Sequence, residues 1–325
     1  MARPPTDRLL KALTAQTEVY DTPLRLDFEQ GWREWKTCIG MARDRYRKKP
    51  THDPGTRRRV TILPDLHVPF HDPLLLADFI ERESKISDLL IGAGDFGDAY
   101  SHSRFTLYES MPYAEEWAAC TLAMKALSEA WAGKPIHLIL GNHDARLEKQ
   151  LRSRLTQDMV NALSLMTGGV LCPITALTKR FNNITIAKHV VPNTGLTVDW
   201  FTTVGKDCLV LHAEKFSKVP GSALRAVEEW VEDNRLALGL DQYRLICLAH
   251  THQLSKFPWG ADKLLLETGC LCLTQGYMTS ARVGGRPQRR GYCYLSQDLR
   301  DGAWVTDLNS VDWHWYDVDE ETRSQ

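Results

Sequence analysis

Net charge is what this sequence has least of. Its 40 lysines and arginines nearly cancel 41 aspartates and glutamates, leaving −1 over 325 residues. No global basic field therefore draws in a nucleic acid, and only a local patch can do so. No apolar run approaches the roughly 20 residues that a bilayer span needs. The opening stretch, MARPPTDRLLKALTAQTEVY, contains no apolar signal core. A cytoplasmic chain without membrane contact is expected. C-x-x-C pairs are absent too, although there are eight cysteines: Cys38, Cys120, Cys172, Cys208, Cys247, Cys270, Cys272 and Cys293. An even count can mean disulfides, but such frameworks belong mainly to short secreted chains. Several of these cysteines lie within apolar runs such as CLVLH and LICLAH, and they read as reduced, mostly buried thiols. Internal repeats and low-complexity tracts are missing.

What is present is a globular composition, 43% hydrophobic, enough for one large core and a small second unit. Residues 1–56 read as a helical N-terminal extension. Phe28, Trp32, Trp35, Ile39, Ala42 and Tyr46 recur at steps of three and four and mark one apolar face. That face needs burial, either in a homodimer or on the chain's own domain. A basic stretch over 43–49, Pro50 and a polar linker follow. The pattern then changes to strands alternating with helices: apolar runs at 60–63, 88–94 and 137–140, helices over 73–84 and 113–132, and a long helical stretch over 145–166. Such alternation predicts parallel β-α-β units. The second half is richer in strands, at 184–187, 208–211, 245–248, 263–267, 292–295 and 304–308, with one helix over 222–238. The main domain, 57–317, is expected to be a layered α/β domain with two sheets. Residues 318–325 read as a flexible tail.

The polar residues fall at strand ends. Asp65 and His67 follow the first strand, Asp95 the second, and Asn142-His143-Asp144 the third. His212 closes CLVL, and His250 and His252 follow LICL. Ligand sites in open α/β sheets form outside the carboxyl ends of strands, so five strand ends deliver ligand-type side chains to one edge. Residues two apart in an extended segment share a side, as Asp65 with His67 and His250 with His252. A carboxylate such as Asp95 has enough lone pairs to bridge two cations. The mixed nitrogen and oxygen set suits Mn, Fe, Zn or Ni.

The set D-x-H (65–67), G-D-F-G-D (94–98), G-N-H-D (141–144), the strand-end His212 and A-H-T-H (249–252) resembles the calcineurin-like metallophosphoesterase superfamily, with all five motifs in the family order. The resemblance implies an αββα sandwich with two mixed β-sheets. It also implies two divalent metal ions, Mn first, with Fe, Zn, Ni or Mg as alternatives. Asp65, His67, Asp95 and His252 would hold one ion. Asp95, Asn142, His212 and His250 would hold the other, and Asp95 would bridge them. A hydroxide between the ions would attack phosphorus. His143 would protonate the leaving oxygen or stabilise charge, with Asp98 orienting it. Two small departures, Ala249 and Ala213 where relatives carry Gly, predict local backbone adjustment without lost ligands.

Bland readings stand beside these. Arg146 either contacts substrate phosphate through its planar fork or is a solvated helix-start residue. Asp144, His71, His102, His137, His189 and His314 read as structural. The loop GGRPQRR (284–290) can reach an anionic polymer near the site or be a solvated surface. GDFGDAY departs from the G-D-x-V-D-R-G of protein phosphatases. The segment ETGCLCL with a later Gly-Tyr resembles metallophosphoesterases of phages and prophages, closer to nucleases of the SbcD type. The leading expectation is a phosphodiesterase with nuclease activity on DNA, exonuclease or endonuclease. The alternative is a phosphodiesterase or phosphatase on small nucleotides, which the near-neutral charge favours. A non-catalytic metal-binding interaction module is the third reading, and the intact ligand set counts against it.

Overall fold

The computed structural model describes residues 56–103, 112–214, 217, 219, 221–240, 242–273 and 288–316, together with Arg33, Lys36 and Thr37. The expected aromatic helix face, the basic stretch 43–49 and the tail over 318–325 lie outside the described residues, as do Arg282 and Arg286.

Strand β1 (Arg57–Leu63), helix α1 (Pro73–Glu83) and β2 (Leu89–Gly92) form a first β-α-β unit. A 3-10 turn at Tyr100–His102 and α2 (Tyr113–Ala130) lead to β3 (Ile136–Leu138). Helices α3 (Arg146–Arg154), α4 (Gln157–Met166) and α5 (Pro173–Thr178) precede β4 (Ile184–Ile186). Then come β5 (His189–Val190), β6 (Thr197–Val198), β7 (Phe201–Val204), β8 (Cys208–Leu211), α6 (Ser222–Asn234) and β9 (Leu245–Leu248). Strands β10 (Leu254–Trp259), β11 (Lys263–Thr268), β12 (Gly291–Arg300) and β13 (Ala303–Trp315) complete the order.

Two mixed sheets result, with strand orders β13-β12-β1-β2-β3-β4 and β10-β11-β9-β8-β7, plus a β5-β6 hairpin. β1 to β4 run parallel, as do β8, β9 and β11. The period of two along each strand sorts the side chains into layers. Val60, Ile62, Leu89 and Ile91 of the first sheet meet Cys208, Val210, Leu245, Cys247, Leu264 and Leu266 of the second in a shared core. Leu209, Leu211, Ile246, Leu248 and Leu265 face the other way and pack on Leu224, Val227 and Val231 of α6. On the far side of the first sheet, Leu63, Leu90 and Tyr292 pack with Phe79 of α1, Met124 and Leu127 of α2, and Trp131. The order helix, sheet, sheet, helix is the expected αββα sandwich.

One buried carboxylate ties α1 to its sheet. Glu83 accepts from Arg59 Nε and Nη2 at 2.9 Å each, from Thr61 Oγ1 at 2.8 Å and from the Tyr292 hydroxyl at 2.9 Å. A buried charge is tolerated when every oxygen is partnered in this way.

The expected long helix over 145–166 is instead two helices. Leu155 is extended (φ −104°, ψ 152°), and Thr156 caps the second helix by accepting from Met159 N. A Thr at an N-cap restarts a helix where its hydroxyl competes with the helical ladder. The short β5, β6 and β7 were not expected. β10 was missed because Lys256 and Pro258 interrupt its apolar pattern, and a sheet edge is where Pro is tolerated.

His71 is 2% exposed, and burial pushes its imidazole down to about 4. Its folded value thus lies below the unfolded one, and the unfolded chain binds the extra proton. The stability it permits is full above about pH 6.5 and falls by roughly 1.4 kcal/mol per pH unit from there down to about pH 4. We expect His71→Gln to remove that share of the slope in urea unfolding between pH 6.5 and 4. A slope equal to the parent's would show that His71 does not titrate on unfolding.

Candidate metal centre

The carboxyl ends of β1, β2, β3, β8 and β9 bring their polar residues together, and the local backbone is unusual there. His67 (φ 50°), Asp95 (φ 47°), His250 (φ 78°) and His252 (φ 52°) are all left-handed non-glycine residues. Each such residue costs on the order of 1–3 kcal/mol and persists only where surroundings enforce it. Here the enforcement is explicit. Leu66 N and His67 N both donate to Asp95 O, at 3.1 and 2.9 Å. His250 N donates to the Asp65 carboxylate, at 3.1 Å to Oδ2. Extended geometry would have put His250 and His252 on one side; the left-handed turns send them to different groups.

One group is Asp65, His67 and His252, and another is Asp95, His212 and His250, each with ligand atoms mutually within 4.8 Å. His67 Nε2 and His252 Nε2 are 3.0 Å apart. Two nitrogens held at about 2.1 Å by one cation stand roughly 3.0–3.4 Å from each other, so this spacing fits a shared ion. Asn142 Oδ1 faces His212 Nε2 at 3.1 Å and so joins the second group. Asp95 Oδ2 lies 3.2 Å from His212 Nε2 and 3.7 Å from His67 Nε2, so a single oxygen faces both groups. Its other oxygen, Oδ1, accepts from His143 N at 2.8 Å.

The rear nitrogens of His212 and His67 are tied down as those of metal-binding imidazoles usually are. His212 Nδ1 donates to Ala93 O at 2.9 Å, and His67 Nδ1 meets Asp98 Oδ1 at 2.8 Å. His143 Nδ1 meets the same Asp98 Oδ1 at 2.9 Å. Asp98 therefore orients His67 as well as His143. Arg146 is neither solvated nor free. It donates to Asp98 O at 2.9 Å through Nη1, and its Nη2 lies 2.7 Å from His143 Nε2. His143 Nε2 in turn stands 4.0 Å from Asp95 Oδ2.

Charge is concentrated in this buried pocket. Burial would raise the Asp95 carboxyl, but His212 and His143 outweigh it and hold it well below the usual carboxylate range. Burial lifts Asp65 to about 6, only partly offset by His212. For His212 burial works downward, yet Asp95 and Asp65 push the ring up to about 10. Burial, with His212 beside it, brings His250 down to about 4 and keeps its lone pair available. Buried carboxylates facing a ring of imidazole nitrogens are a donor set for a divalent cation of borderline hardness.

The motif glycines are explained by crowding. A Cβ on Gly94 would meet His212 Nδ1 at 2.5 Å, and one on Gly141 would collide with Asp95 Oδ1 and N. Asp144, 3% exposed, accepts from Gly141 N and Gly97 N at 2.9 Å each. It staples two of the ligand-bearing loops, so its structural reading holds. His102, His137 and His189 have partners away from the centre: Gln150, Thr185 and Leu238 O. Cys270 and Cys272 stand beside His252, a closeness no spacing signalled. Every cysteine among the described residues is a free thiol, and all are buried.

No helix among the described residues is long and apolar enough to cross a membrane. No curated protein matches the chain. Among solved structures, Vps29 of Chaetomium thermophilum is similar at 12% identity and a TM-score of 0.36, over 80% of this chain and 98% of that one. A hypothetical protein from Thermus thermophilus is similar at 15% identity and a TM-score of 0.34, over 79% and 98%. The family model for calcineurin-like phosphoesterases matches residues 58–254, more than half of the chain. That span holds all five strand-end motifs and both ligand groups, and with their metal-ready geometry this chain belongs to the calcineurin-like phosphoesterase family, whose chemistry is metal-dependent hydrolysis of phosphoric esters.

Proposed function

We propose that this protein is a phosphodiesterase with nuclease activity on DNA, working with two divalent cations, Mn²⁺ foremost. The observation that supports catalysis best is Asp95 Oδ2, which faces His67 on one side and His212 on the other. Asp65, His67, Asp95 and His252 would hold one ion, and Asp95, Asn142, His212 and His250 the other. When bound, such ions supply Lewis acidity and a strong water-derived nucleophile at neutral pH.

The chain's own residues do the rest. Asp98 accepts from His143 Nδ1, which leaves Nε2 as the atom that gives a proton to the leaving oxygen or steadies its charge. Arg146 Nη2 can only donate and faces that Nε2 in this structure, so the guanidinium would leave the ring for the phosphate before Nε2 carries the proton. A DNA substrate is supported by the likeness to SbcD-type nucleases. Arg289, exposed and anchored beside the His252 loop by its N donating to His252 O at 2.9 Å, is a cation near the site, whereas Arg290 pairs with Asp72 at 3.3 Å. The net charge of −1 favours the second reading, a small-nucleotide phosphodiesterase.

The test is hydrolysis of bis-p-nitrophenyl phosphate with Mn²⁺, alongside labelled single- and double-stranded DNA and a panel of cyclic and dinucleotides. We expect turnover of the diester and cutting of DNA. No turnover with Mn²⁺, Mg²⁺, Ni²⁺ or Zn²⁺ would remove the enzyme reading. Turnover of a small nucleotide with DNA intact would select the second.

A further inference from the structure

We infer that Gln288, far outside the family-matched span, is a positioning residue that holds the His252 ring in the tautomer needed for metal binding; this rests on His252 being a metal ligand. The chain around Gln288 is fixed to the His252 loop by its backbone. Arg289 N donates to His252 O at 2.9 Å, Cys270 N to Arg289 O at 3.2 Å, and Gly291 N to Cys270 O at 3.0 Å. That ladder delivers the Gln288 carboxamide to the rear of the ring, its Nε2 atom 2.8 Å from His252 Nδ1. The front nitrogen, His252 Nε2, faces His67 Nε2 and the first ligand group.

The chemistry of a neutral imidazole then decides the partner. It carries one proton, so ligation through Nε2 places that proton on Nδ1, and Nδ1 requires an acceptor. Amide oxygen and nitrogen are interchangeable in placement. As placed, the amide nitrogen faces Nδ1 and Oε1 is buried with no partner among the described residues, and turning the amide exchanges the two positions. Turning the amide brings that oxygen to Nδ1–H, and Cys272 Sγ, 3.6 Å from the same amide position, becomes a weak donor to it. His67 and His212 have their rear nitrogens on Asp98 and Ala93 O; Gln288 completes the series for His252. The same placement closes off the adjoining cluster of His252, Cys270 and Cys272 as a third metal site, because the amide already occupies the Nδ1 direction.

The experiment is titration of Mn²⁺ into the full-length parent, Q288L, Q288A and Q288E by calorimetry, with circular dichroism to check folding. Loss of an outer partner of a metal-binding histidine typically lowers affinity by about 10–100-fold. We expect that loss in Q288L and Q288A. Q288E offers an acceptor and no donor, so its Mn²⁺ affinity should stay within a few-fold of the parent's or exceed it. Should Q288L not fold, the contrast between Q288A and Q288E still decides. Parent-like affinity in Q288L or Q288A overturns the inference and leaves the metal reading intact. So does a loss in Q288E equal to that in Q288A, since a merely space-filling or donating amide behaves that way. A parent that binds no divalent ion overturns both.

Discussion

Asp95→Asn is expected to lower kcat/KM on a phosphodiester by about a thousandfold, because one cation's stabilisation of several kcal/mol is lost at about 1.4 kcal/mol per decade. The substitution is nearly isosteric. Asn retains an oxygen for the 2.8 Å bond from His143 N, so the loop after β3 keeps its anchor. What disappears is the anionic Oδ2 that stands between His67 and His212. Metal analysis after dialysis should therefore show fewer ions bound per chain than in the parent, with circular dichroism unchanged. A variant that keeps the parent's ion content and rate would refute the bridging role.

His143→Ala should leave metal content untouched and cut turnover by about 10²–10⁴, the usual range for a general acid or base. The ring contributes no atom to the Asp65 or His212 group; its Nε2 is 4.0 Å from Asp95 Oδ2, and its Nδ1 is spent on Asp98. The size of the loss should depend on the leaving group. p-Nitrophenolate departs without a proton, so bis-p-nitrophenyl phosphate should lose less than DNA, whose leaving alkoxide needs one. Equal losses on both substrates would assign His143 to charge stabilisation. An unchanged rate on both would remove it from the mechanism. Asp98→Ala is less clean, since Asp98 also braces His67.

Much of this was legible along the chain because the relevant spacing is local. The apolar runs of four at CLVL and LICL are strands β8 and β9 with the same bounds, since a strand buried on both faces reads as an unbroken apolar run. The polar residues after them stand out because buried sheets leave few polar positions. One apolar period runs through Leu155 and Thr156, so the sequence reads as a single helix over 145–166, while the cap that breaks it depends on a single hydroxyl. Among the described residues strand β7 pairs with β8 alone and sits at a sheet edge, so it carries little pattern of its own.

The seven ligand-type residues and the His143–Asp98 pair are named from motif order, strand-end position and the family resemblance, none of which needs coordinates. The family resemblance also divides them between two ions, with His250 and His252 apart, and the structure supplies the physical cause. Left-handed backbone at His250 and His252 sends rings two residues apart to different partners, a choice enforced by bonds from distant strands. The second contact of Asp98, the capture of Arg146 by His143, and the approach of Gln288 to a ring 36 residues earlier were decided by tertiary structure alone. Each is a hydrogen bond between loops that only the packing of two sheets brings within reach, and such closeness leaves no periodic trace in a chain.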